Sequence, residues 1–183
     1  MGQVERELCP GGQFNVAFQS LAWFALAVKS LHENAVAQCL KYKGFEVYLP
    51  VKRDVRRWSD RVKTLERPLF PGYVFCRLDC ARRIEALRTP GVRSIVTFGG
   101  EVMPISEIEI ERVRTMLASG HPVEPWPFIN AGQRVRVQSG PFLGIEGILV
   151  TVRDSCRVVI SLELLQRSVA VQIDPSCLAP VRN

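Results

Sequence analysis

Residues 132–152 read GQRVRVQSGPFLGIEGILVTV, two apolar runs joined by a Gly-Pro break. Over 133–138, Val135 and Val137 alternate with polar residues, the period of a half-buried strand. Gly140-Pro141 then turns the chain, since glycine reaches backbone angles closed to other residues and proline pre-sets its own. Gly144 and Gly147 flank Ile145-Glu146, where a bulge or a close backbone approach needs a residue without a Cβ. Residues 148–152 are apolar and β-prone. A chain carrying this element must build at least one tight antiparallel hairpin. No catalytic constellation lies within it, so a surface that binds macromolecules is the first expectation.

The 183 residues suffice for one large or two small domains. The composition, 47% hydrophobic and 23% charged, is that of an ordinary globular protein. The formal charge of +6 favours an acidic partner such as nucleic acid. Of the 24 Lys and Arg residues, 18 precede position 121, so attraction of that kind falls mainly on the N-terminal part. Six cysteines are scattered, with no C-x-x-C pair, and only His32 and His121 accompany them. Zinc-ligand spacing is therefore missing, and neither a metal nor a cofactor is expected. The N-terminus lacks a signal-peptide pattern, and the best apolar stretch, residues 21–28, is too short to span a membrane. A cytoplasmic protein is expected.

Residues 1–20 show no period and read as a flexible tail. Order is expected from Leu21, with a buried strand over 23–28. Residues 30–33, Ser-Leu-His-Glu, have capping-box spacing and open a helix that ends at Gly44. A strand over 45–51 follows. Residues 51–67 hold seven basic and three acidic residues around Trp58, a hairpin or loop rather than a core element. PLFPGYVFCRL, 68–78, reads as a turn and a buried strand. Asp79 caps a short helix to Arg88 with Ile84 and Leu87 inward. A strand over 92–98 turns at Gly99-Gly100. A second capping box at 106–109 opens a helix that places Ile110, Val113 and Leu117 on one face. The expected N-terminal unit, 21–120, is thus an α+β sandwich of helices on a mainly antiparallel sheet. Pro122, Pro125 and Pro127 make 121–129 a stiff extended linker. About five short strands over 130–183 point to a small closed β-barrel.

Two matches now fall in order along the chain. The hairpin with Gly140, Pro141, Phe142, Gly144 and Gly147 resembles the KOW motif of ribosomal proteins and elongation factors. Residues 67–75, RPLFPGYVF, resemble the signature of the NusG N-terminal domain. Trp23-Phe24, the turn at 89–92 and Pro104-Ile105-Ser106 fit the same domain. The resemblance, over about 21–181, is to the NusG family of transcription elongation factors, and it implies a NusG sandwich joined to an SH3-like five-stranded KOW barrel.

The resemblance also implies partners. The N-terminal domain would dock on the clamp helices of RNA polymerase and reach the opposite pincer, keeping the clamp closed and disfavouring pauses. The barrel would recruit a small-subunit ribosomal protein, or Rho. By position, Phe70, Pro71 and Tyr73 match the apolar clamp-binding surface, with Trp23 and Phe75 as neighbours. The competing reading places these residues in the core. Arg82 and Arg83 match the segment that reaches the far pincer and nearby DNA, or form a solvated helix face. Arg53, Arg56, Arg57, Arg61 and Lys63 would neutralise phosphates of DNA near the transcription bubble, or belong to a solvated loop. A monomer is expected. Residues 161–171, SLELLQRSVAV, depart from housekeeping NusG and look more like specialised UpxY and RfaH-type paralogues, which prevent termination in particular operons. That departure puts Rho binding in question. Residues 158–160 and 169–171 are β-prone, which favours strands over helices there. A housekeeping NusG and a ribosome-associated RNA-binding protein are the alternatives. With two histidines, no phosphate-binding glycine loop and no nucleophile–base pairing, an enzyme is not expected.

Overall fold

The computed structural model describes residues 21–57, 62–79, 81–128, 132–152 and 155–181. The expected tail, 1–20, lies outside them. The first strand, β1 (Ala22–Val28), is apolar along its whole length because both of its faces are covered. It lies between β5 (Tyr73–Leu78) and β6 (Val92–Ile95), and β2 (Glu46–Tyr48) adds to the outer edge of β5. The order is β2-β5-β1-β6, and every pairing is antiparallel. On one face, Phe24, Leu26, Val74 and Cys76 pack under α1 (Glu33–Tyr42) and α2 (Arg83–Leu87), against Val36, Leu40 and Ala86. On the other, Trp23, Ala25 and Phe75 meet Ile110, Val113 and Met116 of α3 (Glu107–Ala118). Burial pushes the Cys76 thiol up to about 12, so it stays protonated in this interior.

The strand expected over 45–51 is interrupted at Pro50. Past it, β3 (Val51–Arg57) and β4 (Val62–Pro68) form a separate two-stranded ribbon, and the Pro50 carbonyl accepts from Leu69 N at 2.8 Å at its base. The strand expected over 92–98 also divides. Val96 N turns to the Ala25 carbonyl, so β6 stays in the sheet while β7 (Thr97–Phe98) pairs with β8 (Glu101–Val102) as a small hairpin.

Neither capping box forms as expected. His32 stands at the N-cap of α1 without a side-chain hydrogen bond, and Ser106 caps α3 equally without one. Glu33 is instead buried, and its Oε1 accepts from Gly72 N at 2.8 Å. It satisfies a donor in the turn before β5, a contact that sequence spacing does not disclose. Asp79 does hold the start of α2, accepting from Arg82 N at 2.9 Å. Ile84 is 53% exposed rather than inward, and Ala86 takes the buried place. In five residues only one position faces the sheet squarely.

The second sheet is β14-β10-β11-β12-β13-β9, built from β9 (Val123–Trp126), β10 (Arg134–Val137), β11 (Glu146–Val152), β12 (Ser155–Leu162), β13 (Arg167–Gln172) and β14 (Leu178–Pro180). It has six strands and is not closed, where five closed strands were expected. The extra strand, β9, comes from the stretch expected as a linker. It pairs with β13 from Ser168↔Trp126 to Val171↔Val123. Pro125 is tolerated because β9 is an edge strand, with no ladder donor required on its outer side. Gly147 shows why the 140–147 turn is glycine-rich. A Cβ there would lie 2.6 Å from the Val159 carbonyl oxygen.

The apolar side chains of this sheet, Val135, Val158, Ile160 and Val169 among them, belong to the same cluster as Trp23, Phe75 and Val113. Helix α3 packs on β12 and so lies in contact with both halves.

Candidate interaction surfaces

Trp23, Phe70 and Phe75 are all buried, at 1%, 2% and 0% exposure. Phe75 stacks on Tyr48 at 6.1 Å and takes the Phe70 ring edge-on at 5.8 Å. Trp23 Nε1 donates to Glu107 Oε1 at 3.3 Å. The Arg114 guanidinium lies 5.2 Å from the Trp23 ring centre and 4.9 Å from that of Tyr48, and pairs with Glu46 and Glu111. These residues are thus the underlay of α3, in keeping with the core reading weighed above for them. Tyr73 is half-buried and Pro71 is exposed.

Large apolar side chains do reach the surface a short distance away. Phe98 at the end of β7, Met103 after β8 and Ile108 in the first turn of α3 are 60%, 36% and 62% exposed. They line a cleft of about 510 Å³ together with Pro104, Arg112 and Leu164. Leu143, in the turn between β10 and β11, is 65% exposed, and it shares a neighbouring cleft with Ile108. A contiguous apolar surface of this kind marks a place for a partner. None of the four was singled out from sequence. A signal was available: Ile108 and Ile110 are two apart in a helix, about 200° around its axis, so one must face away from the core.

The two strands of the basic ribbon pair in register along their backbones. Arg53 pairs with Glu66 at 3.3 Å, with both side chains largely in water. Arg56 and Arg57 stand opposite Lys63 and Val62 along the β3–β4 ladder. Arg61 and Trp58 lie outside the described residues. Arg82 stays partly in water, its side chain 39% exposed, and is held against its neighbours. Its Nη2 donates to Lys43 O at 2.6 Å, its Nε pairs with Glu85 at 3.0 Å, and its guanidinium sits 3.9 Å above the Phe45 ring. It closes the C-terminal end of α1, where carbonyls lack helical partners. Arg83 is half-buried.

In the hairpin between β10 and β11, Phe142 is buried and meets the His121 ring at 5.2 Å, while Pro141 is exposed. Gly140 and Gly144 hold φ of +82° and +83°. Glu146, just beyond, joins the sheet to the helix. It accepts from Arg136 Nε at 2.7 Å and pairs with Arg112 of α3 at 3.3 Å. The hydrogen bond from Arg136, with both guanidinium charges nearby, holds its carboxyl below the usual range. A carboxyl depressed in the folded state adds stability above its unfolded pKa and loses it as pH falls through the folded value. Glu146→Gln should therefore lower the urea midpoint at pH 7, and the gap to wild type should narrow as the pH falls below the ordinary carboxyl range.

Among the described residues no group of three or more His, Cys, Asp and Glu side chains could hold a metal, and no helix is long and apolar enough to cross a membrane. Exposed apolar and basic surfaces on this frame are those of a protein that binds others by contact. A family profile described as "Transcription termination factor nusG" matches residues 21–114. The chain is 29% identical over 188 residues to the transcription termination/antitermination protein NusG of Deinococcus radiodurans, spanning 87% of this chain and 99% of that one. It is 26% identical over 176 residues to its Thermus thermophilus counterpart, spanning 85% and 96%. A solved structure of Thermotoga maritima NusG has the same fold, with a TM-score of 0.53 and 19% identity over 89% of this chain and 98% of that one. The chain belongs to the NusG family, whose members are transcription factors and not enzymes.

Proposed function

We propose that this protein is an elongation factor that docks on RNA polymerase through the surface of Phe98, Met103 and Ile108, and holds the clamp closed against pausing. The observation that carries the reading is this patch: three large apolar side chains in water, set around a cleft beside α3. A groove of this kind suits one face of a helical partner such as the clamp helices. Trp23, Phe70 and Phe75 then act from beneath, fixing α3 on the first sheet. Pro71 and Tyr73 flank the same unit. Polymerase bound in this way favours the closed clamp by the difference in affinity between its two states.

The ribbon of β3 and β4, with Arg53, Arg56, Arg57 and Lys63, lies along DNA near the bubble in this reading. The second sheet serves as the KOW domain and recruits a ribosomal protein or Rho. The departure over 161–171 supports a specialised, operon-restricted role over a housekeeping one, and direct binding to Rho separates the two.

The test is pause lifetime and co-elution with purified polymerase. A Phe98→Ala, Ile108→Ala double variant should melt within a few degrees of wild type, because exposed side chains contribute little to stability. It should also lose pause suppression and at least about tenfold in polymerase affinity, as truncation of apolar anchors does at interfaces. Full activity in a folded double variant rules this surface out.

A further inference from the structure

The Phe98 cleft lies where the chain enters the fold. Trp23 bridges Ile105 in an antiparallel pair, with Ile105 N donating to the Trp23 carbonyl at 2.7 Å, and the Trp23 indole reaches Glu107. The start of β1 thus runs beside 105–107, a segment flanked by Met103 and Ile108, both of which line the cleft. Leu21, at that entry, is 56% exposed. The sequence just upstream has an unusual make-up for a chain end. No Lys, Arg, Asp or Glu occurs between Glu7 and Lys29, and residues 14–18 read FNVAF, two rings and a valine in five positions. Segments that stay in water are typically rich in charge and poor in aromatics. This one carries apolar surface that gains from cover, as the cleft does.

We propose that residues 14–18 of the same chain lay Phe14 and Phe18 into this cleft, over Phe98, Met103 and Ile108. The reach is sufficient. Phe18 is separated from Leu21 by at most about 11 Å of extended chain, and Phe14 by at most about 25 Å. Because the segment is covalently joined, it meets the cleft at an effective concentration of about millimolar. A few apolar contacts then hold it where a separate peptide of the same sequence would leave. Its lack of charge leaves Arg112 to its partner Glu146. A polymerase helix that uses the same cleft must displace the segment; that consequence rests on the docking reading above, and the contact itself does not.

Photo-crosslinking of the full chain tests it, with p-benzoylphenylalanine in place of Phe18. Benzophenones insert readily into methionine side chains, so irradiation should give an adduct within one chain at Met103, located by mass spectrometry. Phe98→Ala with Ile108→Ala, both exposed positions, should lower its yield about tenfold. Adducts confined to other parts of the chain overturn the proposal, as does a yield that ignores this pair. Adducts between two chains assign the segment to a second copy and overturn it too. Polymerase supplies a separate measurement. Phe14→Ser with Phe18→Ser should bind it about tenfold more tightly, the gain when a competent form rises from about a tenth of the molecules to nearly all. If the Met103 adduct forms and this affinity does not move, the contact stands and the polymerase docks elsewhere. If the adduct is missing, the proposal fails whatever the polymerase does.

Discussion

Gly147→Val should abolish the second sheet as a folded unit. The substituted Cβ would lie 2.6 Å from a backbone carbonyl on β12 and 2.7 Å from Val158 Cγ1. A backbone atom inside a ladder cannot rotate away as a side-chain tip can, so the strands must part. Overpacking of a well-filled interior costs about 1–3 kcal/mol when neighbours can adjust. Here the valine also breaks the β11–β12 pairing, so the loss should exceed that range. Circular dichroism and a urea titration of the whole chain would show it as lost β signal or an early first transition. A midpoint within 0.3 M of wild type would mean that the two strands sit further apart than the structure has them.

The second large effect is expected at Phe75. It is fully buried, stacked on Tyr48 and edge-on to Phe70. Phe75→Ala removes a large ring from the middle of the shared core and should cost about 3–5 kcal/mol, a large share of a typical domain's stability. Polymerase binding would then fall together with folding, in proportion to the folded fraction. That pattern differs in kind from Phe98→Ala with Ile108→Ala, where binding should fall and folding should not. Comparing the two at equal folded fraction separates a supporting residue from a contacting one. If Phe75→Ala stays fully folded yet loses affinity, Phe75 itself reaches the partner, and the first sheet must open to let it.

Much of the frame was legible in the chain. The unbroken apolar run of β1 announced a strand covered on both faces, and Ile110 and Val113 announced the buried stripe of α3. The glycines at 140, 144 and 147 marked the hairpin. What escaped were contacts between distant residues. Glu33 has the spacing of a capping box, but its carboxylate goes to Gly72, 39 positions away. Arg82 is a surface cation, yet its contacts with Lys43 and Phe45 join residues far apart in sequence and could not be read from the chain. Whether Phe70 and Phe75 belong to a core or to an interface was open in the chain for a related reason. RPLFPGYVF is rich in aromatics, and aromatic content alone does not distinguish a core from an interface. The packing of α3 over Phe75 shows which it is, and that packing joins residues far apart in sequence. β9 was hidden by Pro125 and by Pro122 and Pro127 on either side of it, since such spacing suits a linker and an edge strand equally.

Helix α3 has one side in each half of a single apolar cluster, and only four residues separate its end from β9. The natural seam for exchanging parts between relatives therefore does not lie at the proline-rich stretch. A chimera cut there would marry a helix from one lineage to a sheet tuned to another, across a shared buried cluster. The helix is inherited jointly, and drift on either side of it is constrained by the other.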